Sequence, residues 1–528
     1  MRCPEVDWVA RWAHYTPGRL CLRDHDDGRE WTYLQTERRA AALAAHLHAA
    51  RGVGRGDRVG VLARNTSEHV FLFLACVKLG AILVPLNFRL TAHELATPLR
   101  DAAPVVVFHD AEHAGRLAGS GVQAAELEEV SEIVAPGRAP ASTPGRGDGI
   151  LSPDRSGALE DVVMILYTAG STGQPKGAMI THRMLLWNAV NTELRLDITS
   201  ADHTLGFAPF FHTGGWNVLL TPFLHHGASH TLLKGFDPDL ILELIAGERV
   251  TILFGVPTML QMLADAPGFG AADLSSVRYA IVGGAPMPLP LIDTWHGRGV
   301  FVRQGYGLTE VGPNCFSLHQ DHAVSHRGSI GFPNFYVQAR VVGDEGRDCA
   351  ADEVGELWLK SEVVTPGYWR DEAATRAALV DGWFRTGDLV HRDADGFFYV
   401  VDRQKNMIIS GGENVYPAEV ERCLLEHPAV REAAVIGVPH ARWGEAGHAF
   451  LVLEPGRTVD PVALREHCRS RLAGYKIPRH ITFTSGLPLN DAGKLDRLAL
   501  RRLADSGPGG AAAAPATRSN PPQGDDGS

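Results

Sequence analysis

Cysteine is scarce: seven among 528 residues, at positions 3, 21, 76, 315, 349, 423 and 468, an odd number without close spacing. That excludes a disulfide framework and a zinc-binding pattern, and it suits ordinary thiols in a reducing compartment. Basic charge is not in excess. Lys and Arg number 50 against 61 Asp and Glu, and the cations are scattered, so the net charge of -11 carries no nucleic-acid footprint. Long apolar runs are missing too. The longest, near Val70 to Val84, is broken by Lys78 and is short for a membrane span. The N-terminus, Met1-Arg2-Cys3-Pro4-Glu5-Val6-Asp7, carries acids where a signal peptide needs an apolar core. No internal repeat is visible. What remains is a cytoplasmic, enzyme-sized globular chain, 45% hydrophobic and 21% charged, too long for one core.

Strand-like apolar runs alternate with amphipathic helical stretches through most of the first 300 residues. Arg58–Leu62, Val105–His109, Thr251–Phe254 and Val277–Val282 read as strands; Glu68–Leu79, Thr258–Leu263 and Leu289–Trp295 read as helices. This alternation predicts an α/β class, with a largely parallel sheet covered by helices. A Pro/Gly-rich interval, 135–157, reads as an exposed connector. From about Ser329 the pattern shifts to short strands with Gly and Asp turns, at Val354–Lys360, Trp383–Val390 and Phe397–Val401, a β-rich subdomain. A charged junction, 403–406, then separates a large N-terminal domain, 1–402, from a small mobile α+β domain, 407–504. In the latter a helix is expected at Ala418–Glu426, with Pro417 in its first turn, and strands at Glu432–Val438 and Ala449–Leu453. The segment 505–528, rich in Gly, Ala, Pro and Ser, reads as a disordered tail.

The most particular stretch is Tyr167-Thr168-Ala169-Gly170-Ser171-Thr172-Gly173-Gln174-Pro175-Lys176-Gly177, just after the apolar run Val162 to Leu166. Glycines admit close backbone approach, hydroxyls donate hydrogen bonds and Lys176 supplies positive charge, so such a loop can wrap a polyphosphate. It is not a Walker A loop, because Gly-x-x-x-x-Gly-Lys-Ser/Thr cannot be laid onto it. Three further signatures follow: Gln304-Gly305-Tyr306-Gly307-Leu308-Thr309-Glu310, Trp383-Phe384-Arg385-Thr386-Gly387-Asp388-Leu389, and Pro488-Leu489-Asn490-Asp491-Ala492-Gly493-Lys494.

In this order the four stretches closely resemble the signatures of the adenylate-forming superfamily, which includes acyl-CoA synthetases, carrier-loading adenylation domains and beetle luciferases. The resemblance runs over roughly residues 10 to 503. It implies that Thr168, Gly170, Ser171, Thr172, Gly173 and Lys176 hold the phosphates of ATP. Tyr306 would stack on adenine, with Gln304, Gly305, Gly307, Gly284 and Ala285 in the adjoining nucleotide loops. Thr309 would touch the α-phosphate, and Glu310 with Thr168 would hold Mg²⁺, a role suited to hard oxygen donors. Asp388 and Arg403 match ribose or phosphate contacts. Lys405 falls at the hinge, although the usual Lys-Asp is Lys405-Asn406 here. Lys494 matches the adenylation lysine, a flexible point charge that bridges substrate carboxylate and α-phosphate.

The resemblance also implies a second half-reaction. Ser410-Gly411-Gly412-Glu413 resembles the loop that rotates in to pass the pantetheine of CoA, with Lys476, Arg442 and Trp443 as further CoA contacts. Pro209-Phe210-Phe211-His212-Thr213-Gly214-Gly215-Trp216 resembles the entrance of the acyl pocket, where His212 matches a gating position. It lacks the aspartate that amino-acid-activating relatives use, and Trp216, Leu219, Phe254, Val256 and Met259 would line an apolar pocket, so a fatty or aromatic carboxylic acid is expected. The leading reading is an ATP- and Mg²⁺-dependent acyl-CoA ligase. The alternatives are an enzyme loading a carrier protein, a relative serving another nucleophile (an amide ligase, a nitrite-dependent diazotase or a luminescent enzyme), and an inactive scaffold. Homodimers occur in the family, so oligomeric state stays open.

Overall fold

The computed structural model describes residues 6–133, 158–169, 175–343, 346–410, 413–490 and 494–505. The connector at 135–157, the glycines and hydroxyls at 170–173, Gly411, Gly412 and the tail beyond Asp505 lie outside them. The chain separates into two compact units, Met1–Thr386 with Val390–Val400, and Gly387–Leu389 with Val401–Ser528.

Parallel sheets dominate the first unit. In one, the strands Ala124–Glu126, Val106–His109, Arg58–Leu62, Ile82–Pro85 and Val162–Ala169 pair parallel in that order, and Pro175–Thr181 closes the edge as an antiparallel hairpin. In another, Leu20–Asp24, Ser229–Leu232 and His203–Gly206 run parallel. The Thr251 N–H donates to the His203 carbonyl at 2.9 Å, which joins that sheet to a third. There Ile252–Gly255, Tyr279–Val282 and Phe301–Tyr306 are parallel neighbours. The strand expected at Arg58–Leu62 occupies those residues; those expected from Thr251, Val277 and Val354 begin at Ile252, Tyr279 and Gly355. In the β-rich part Gln338–Val342 pairs antiparallel with Gly355–Lys360, and Leu379–Val380 pairs antiparallel with Trp383–Arg392.

The apolar run that sequence alone marks near Val70 becomes the helix Ser67–Leu79, all of whose residues are buried. A helix apolar on every side must lie inside the protein. Its one cation, Lys78, therefore sits in the interior with two carboxylates, Asp7 at 2.9 Å and Glu37 at 2.6 Å. Burial pushes the Lys78 ammonium down, but the two anions outweigh it and leave its pKa above the usual lysine value.

In the second unit, Glu413–Val415, Ile408–Ser410, Gly444–Leu453 and Val430–His440 form an ordered sheet, and His480–Phe483 adds parallel to Gly444–Leu453. The helices Pro417–Leu425 and Pro461–Arg469 bury Val420, Leu424 and Leu464 with Val435 and Leu451. Pro417 occupies the first turn, where its missing N–H costs nothing. The two strands are longer than the sequence pattern suggests, because they continue as a hairpin to His440 and Gly444. All six described cysteines are buried and none forms a disulfide. Among the described residues no helix is long and apolar enough to cross a membrane.

Replacing Lys78 by Met keeps most of the side-chain volume but leaves two buried carboxylates facing each other. Chemical unfolding should register a loss of about 3–5 kcal/mol. A loss below 1 kcal/mol would mean that the triad is solvated in solution.

Candidate active site

Parallel strands discharge their loops at the same edge, and in open α/β sheets that edge is where ligands bind. The register pairs Gly255 with Val282 and Val282 with Gln304, so Val256–Met259, Gly283–Ala285 and Gly305–Glu310 all leave the third sheet at its C-terminal edge. Gly284 has φ +83°, in the left-handed region that glycine tolerates. At Gly307 any Cβ would collide with the Pro313 carbonyl, so this residue lets the 307–313 loop fold onto itself. The Tyr306 ring lies edge-on to Phe316 at 5.7 Å. The buried Gln304 side chain is engaged within the protein: it accepts from the Met287 N–H at 3.4 Å and donates to the Gly328 carbonyl at 3.2 Å. It therefore fastens the Gly283–Met287 turn to the strand.

Thr309 and Glu310 open a single 3₁₀ turn, Thr309–Val311. The Glu310 carbonyl accepts from the Thr365 N–H at 2.7 Å, and its carboxylate accepts from the Tyr368 hydroxyl at 2.9 Å. Tyr368 also bridges to Ala178 on the strand Pro175–Thr181, and the Lys176 ammonium stands 5.3 Å from its ring centroid. Burial, then the neighbouring Glu310 charge, drives the Tyr368 phenol far above its usual pKa, so it stays protonated and donates. Thr168 is paired with Lys176 across the hairpin, its hydroxyl 3.4 Å from the Lys176 carbonyl. Lys176 and Glu310 thus meet on one phenol that no local motif announces, and Thr168 stands beside Lys176 across the hairpin. A carboxylate and a hydroxyl are hard oxygen donors, a set that fits Mg²⁺.

His212 ends a loop that follows the strand His203–Gly206 and precedes the short helix Thr213–Asn217. Buried Asn65 clamps this loop. Its amide donates to the Gly206 and Ala208 carbonyls at 3.1 and 2.8 Å, and its oxygen accepts from the Phe210 N–H at 3.0 Å. Trp216, expected to line the acyl pocket, is fully buried instead, stacked on Phe210 at 4.5 Å and edge-on to His69 at 5.5 Å. Leu219 is likewise a core residue. An apolar side chain just after a turn of the helix faces the sheet it covers, and the residue type cannot tell that face from a cavity wall. Phe254 stands against Gly214 within the same cluster as Leu219, while Val256 and Met259 are only partly buried.

In the second unit, buried Asp388 accepts from Arg403 Nε at 2.8 Å. Burial, then the Arg403 charge, lowers the Lys405 pKa, while Asp388 opposes the shift. Asp402 organises the turn. It accepts from the Arg403 N–H at 2.6 Å, from Asn406 Nδ2 at 3.0 Å and from the Ala418 N–H at 3.0 Å. An ionised aspartate at 406 has no proton to donate to Asp402, which accounts for asparagine serving here. Lys476 is drawn to Glu419 at 2.7 Å, whereas Arg442 and Arg479 cover the Trp443 ring at 4.7 and 6.0 Å. Lys494 is exposed; its N–H donates to Asn490 Oδ1 at 3.1 Å and its carbonyl accepts from the Asn490 N–H at 2.7 Å.

Residues 9–369 match the family described as AMP-binding enzyme, and residues 419–494 match the AMP-binding enzyme C-terminal domain. The chain is 41% identical over 495 residues to a feruloyl-CoA synthase of Amycolatopsis, covering 94% of this chain and 98% of the relative. It is 37% identical over 503 residues to a 2-succinylbenzoate–CoA ligase of Geobacillus kaustophilus, covering 94% and 97%. Among solved structures, the o-succinylbenzoate coenzyme A synthetase of Bacillus subtilis in complex with ATP and magnesium superposes with a TM-score of 0.80 at 33% identity, covering 94% of this chain and 99% of that one.

Asn65→Leu would leave the Ala208 carbonyl and the Phe210 N–H without that partner, while the Gly206 carbonyl keeps the Leu233 N–H. Urea unfolding should show a loss of about 3 kcal/mol, and hydrogen exchange at the Phe210 amide should accelerate. Unchanged protection at Phe210 would show that the loop holds itself without Asn65.

Proposed function

The chain belongs to the family of AMP-binding enzymes, and from that membership we propose that it joins an arylpropenoic acid of the ferulate kind to coenzyme A. Its activity is that of an AMP-forming acid–thiol ligase, with ATP, Mg²⁺ and CoA as cofactor and co-substrates. A carboxylate is a poor electrophile because its charge is shared by two oxygens. One oxygen attacks the α-phosphorus of ATP, the bond to the β-phosphate breaks, and pyrophosphate leaves an acyl-adenylate. The CoA thiol, losing its proton, then attacks the acyl carbon and AMP departs.

The observation that carries the site assignment is the meeting of the Lys176 ammonium and the Glu310 carboxylate on Tyr368. An anion and a cation held against one phenol suit a metal-bound triphosphate. Magnesium, held by Glu310 and Thr168, would supply charge neutralisation of the phosphates. Lys176 would contact the terminal phosphates, Thr309 the α-phosphate, Tyr306 the adenine face, and Asp388 the ribose hydroxyls. Lys494 would deliver positive charge to the carboxylate and α-phosphate during adenylation, with Lys405 as the pivot. The Gly411–Gly412 segment and the arginines around Trp443 would serve CoA, and Lys476 would have to leave Glu419 to take part. His212 would gate the acyl entrance that Asn65 braces.

An apolar acid is favoured by Phe254, Val256 and Met259 and by the lack of any acid in the Pro209–Asn217 segment that could bind an α-ammonium. The 41% identical feruloyl-CoA synthase points to the aromatic class. A cytoplasmic location suits a reaction that consumes CoA and ATP.

Purified protein with ATP, Mg²⁺ and CoA should release AMP fastest with ferulic acid, more slowly with decanoic acid, and not with phenylalanine. Pyrophosphate exchange without thioester would overturn the acceptor, and preference for decanoate would overturn the acid. Lys494→Ala should slow single-turnover adenylate formation ~100-fold or more while leaving thioester formation from a supplied acyl-adenylate intact. Tyr368→Phe keeps the ring and removes the donor to Glu310. It should raise the Mg²⁺ concentration for half-maximal rate about 10-fold, and an unaltered Mg²⁺ titration would detach Tyr368 from the metal.

A further inference from the structure

Away from the nucleotide-facing edge, Glu193, His225 and His226 converge in the first unit. Glu193 sits in the last turn of the helix His182–Leu196, and the two histidines end the helix Leu220–His226. His225 Nδ1 lies 2.6 Å from Glu193 Oε1, and His226 Nδ1 lies 3.3 Å from Glu193 Oε2. One ligand atom from each of the three residues fits within 4.8 Å of the others.

We propose that Glu193, His225 and His226 form a binding site for a transition-metal dication of the zinc class. Two imidazole nitrogens and one carboxylate oxygen are borderline donors that select Zn²⁺, Co²⁺ or Ni²⁺ over Mg²⁺ or Ca²⁺. Tetrahedral zinc with such ligands spaces its donor atoms by about 3.4 Å; His226 Nδ1 already stands 3.3 Å from Oε2, and a turn of the Glu193 carboxylate that presents one oxygen to both rings completes the set. The ligands are also prearranged. Gly227, at φ +78°, caps the helix through its N–H on the Phe223 carbonyl and turns the chain immediately after His226. The Trp8 ring stands edge-on to the His225 ring at 4.8 Å, and the Trp12 Nε1–H donates to the His225 carbonyl at 2.8 Å. Side-chain exposure rises from 13% at Glu193 to 23% at His225 and 38% at His226, so the carboxylate is the inner ligand and the fourth position faces water. That is the geometry of three protein ligands with one open site. On metal binding each Nδ1 gives up its proton, to Nε2 of the same ring or to water, and the shared carboxylate exchanges two hydrogen bonds for one metal–oxygen bond. The ion would tie the helix following the phosphate-loop hairpin to the one that ends at Gly227.

The probe is Co²⁺ added to tag-free full-length protein stripped with chelator, read by its visible d–d absorption. One equivalent should bind with a tetrahedral spectrum lacking thiolate charge transfer, since the described cysteines are buried. Zn²⁺ should displace it, millimolar Mg²⁺ should not, and saturation should raise the Tm. Glu193→Gln and His226→Gln should each weaken Co²⁺ binding ~10-fold or more without changing ATP-dependent AMP release. His226, the most exposed ligand, covers the case in which Glu193→Gln fails to fold. No saturable band, an octahedral spectrum displaced by Mg²⁺, or a band unmoved by His226→Gln would each overturn the proposal.

Discussion

The parallel register of Ile252–Gly255, Tyr279–Val282 and Phe301–Tyr306 makes three loops leave the sheet in one direction, and the candidate site depends on that constraint. Strand direction is set by the crossover helices, so residues far apart in the chain reach one edge without any contact between them having to be strong. The Tyr306–Glu310 loop is then tied from outside the sheet, by Thr365 and Tyr368, to the strand that carries Lys176. A hydrogen bond to a charged carboxylate is shorter-range and more directional than the charge itself, which is why a phenol can aim Glu310 where a bare loop could not.

Burying so much of the first unit has a consequence for its polar groups. The helix Ser67–Leu79 carries Glu68, His69 and Lys78 into the interior. Two of them find opposite charges, Glu68 in Arg29 and Lys78 in Asp7 and Glu37. His69 remains neutral, because burial lowers its pKa to about 3, and it packs edge-on against the stacked Phe210 and Trp216 rings. The same helix therefore backs the loop that ends at His212, and Asn65, just ahead of it, fastens that loop through backbone groups. The shape of the loop that ends at His212 rests on polar bonds made behind it.

The second unit is built differently. Its sheet is mostly antiparallel, and its functional candidates lie on turns: Asp388 with Arg403, Lys405 beside them, and Lys494 on an exposed loop closed by Asn490. Long flexible cations on turns suit a reaction in two stages, because such charges can be withdrawn at small cost once pyrophosphate has left. Asp402 gives the turn at 402–406 its order by accepting three hydrogen bonds at once, one of them from Asn406.

The order of the four signatures, the strand and helix runs and the first-turn Pro417 were legible in the residues, because each depends on neighbours within a few positions. Periodicity marks burial, glycine marks a backbone no other residue adopts, and a lysine after a glycine-rich turn marks an anion. Tyr368 was not legible: its partner Glu310 stands 58 residues away, and nothing near Gly367 or Trp369 announces the pairing. Trp216 was misread as pocket lining, since an indole looks alike in sequence whether it faces a core or a cavity. Asn65 and the Glu193–His225–His226 cluster were silent for the same cause. By itself the sequence determined the family, the chemistry and which residue types bear charge, because those are local properties. Only the tertiary structure decided which carboxylate a phenol, a cation or an imidazole would face, since hydrogen bonds and charge pairs act over a few ångströms in space and chain separation does not record that distance.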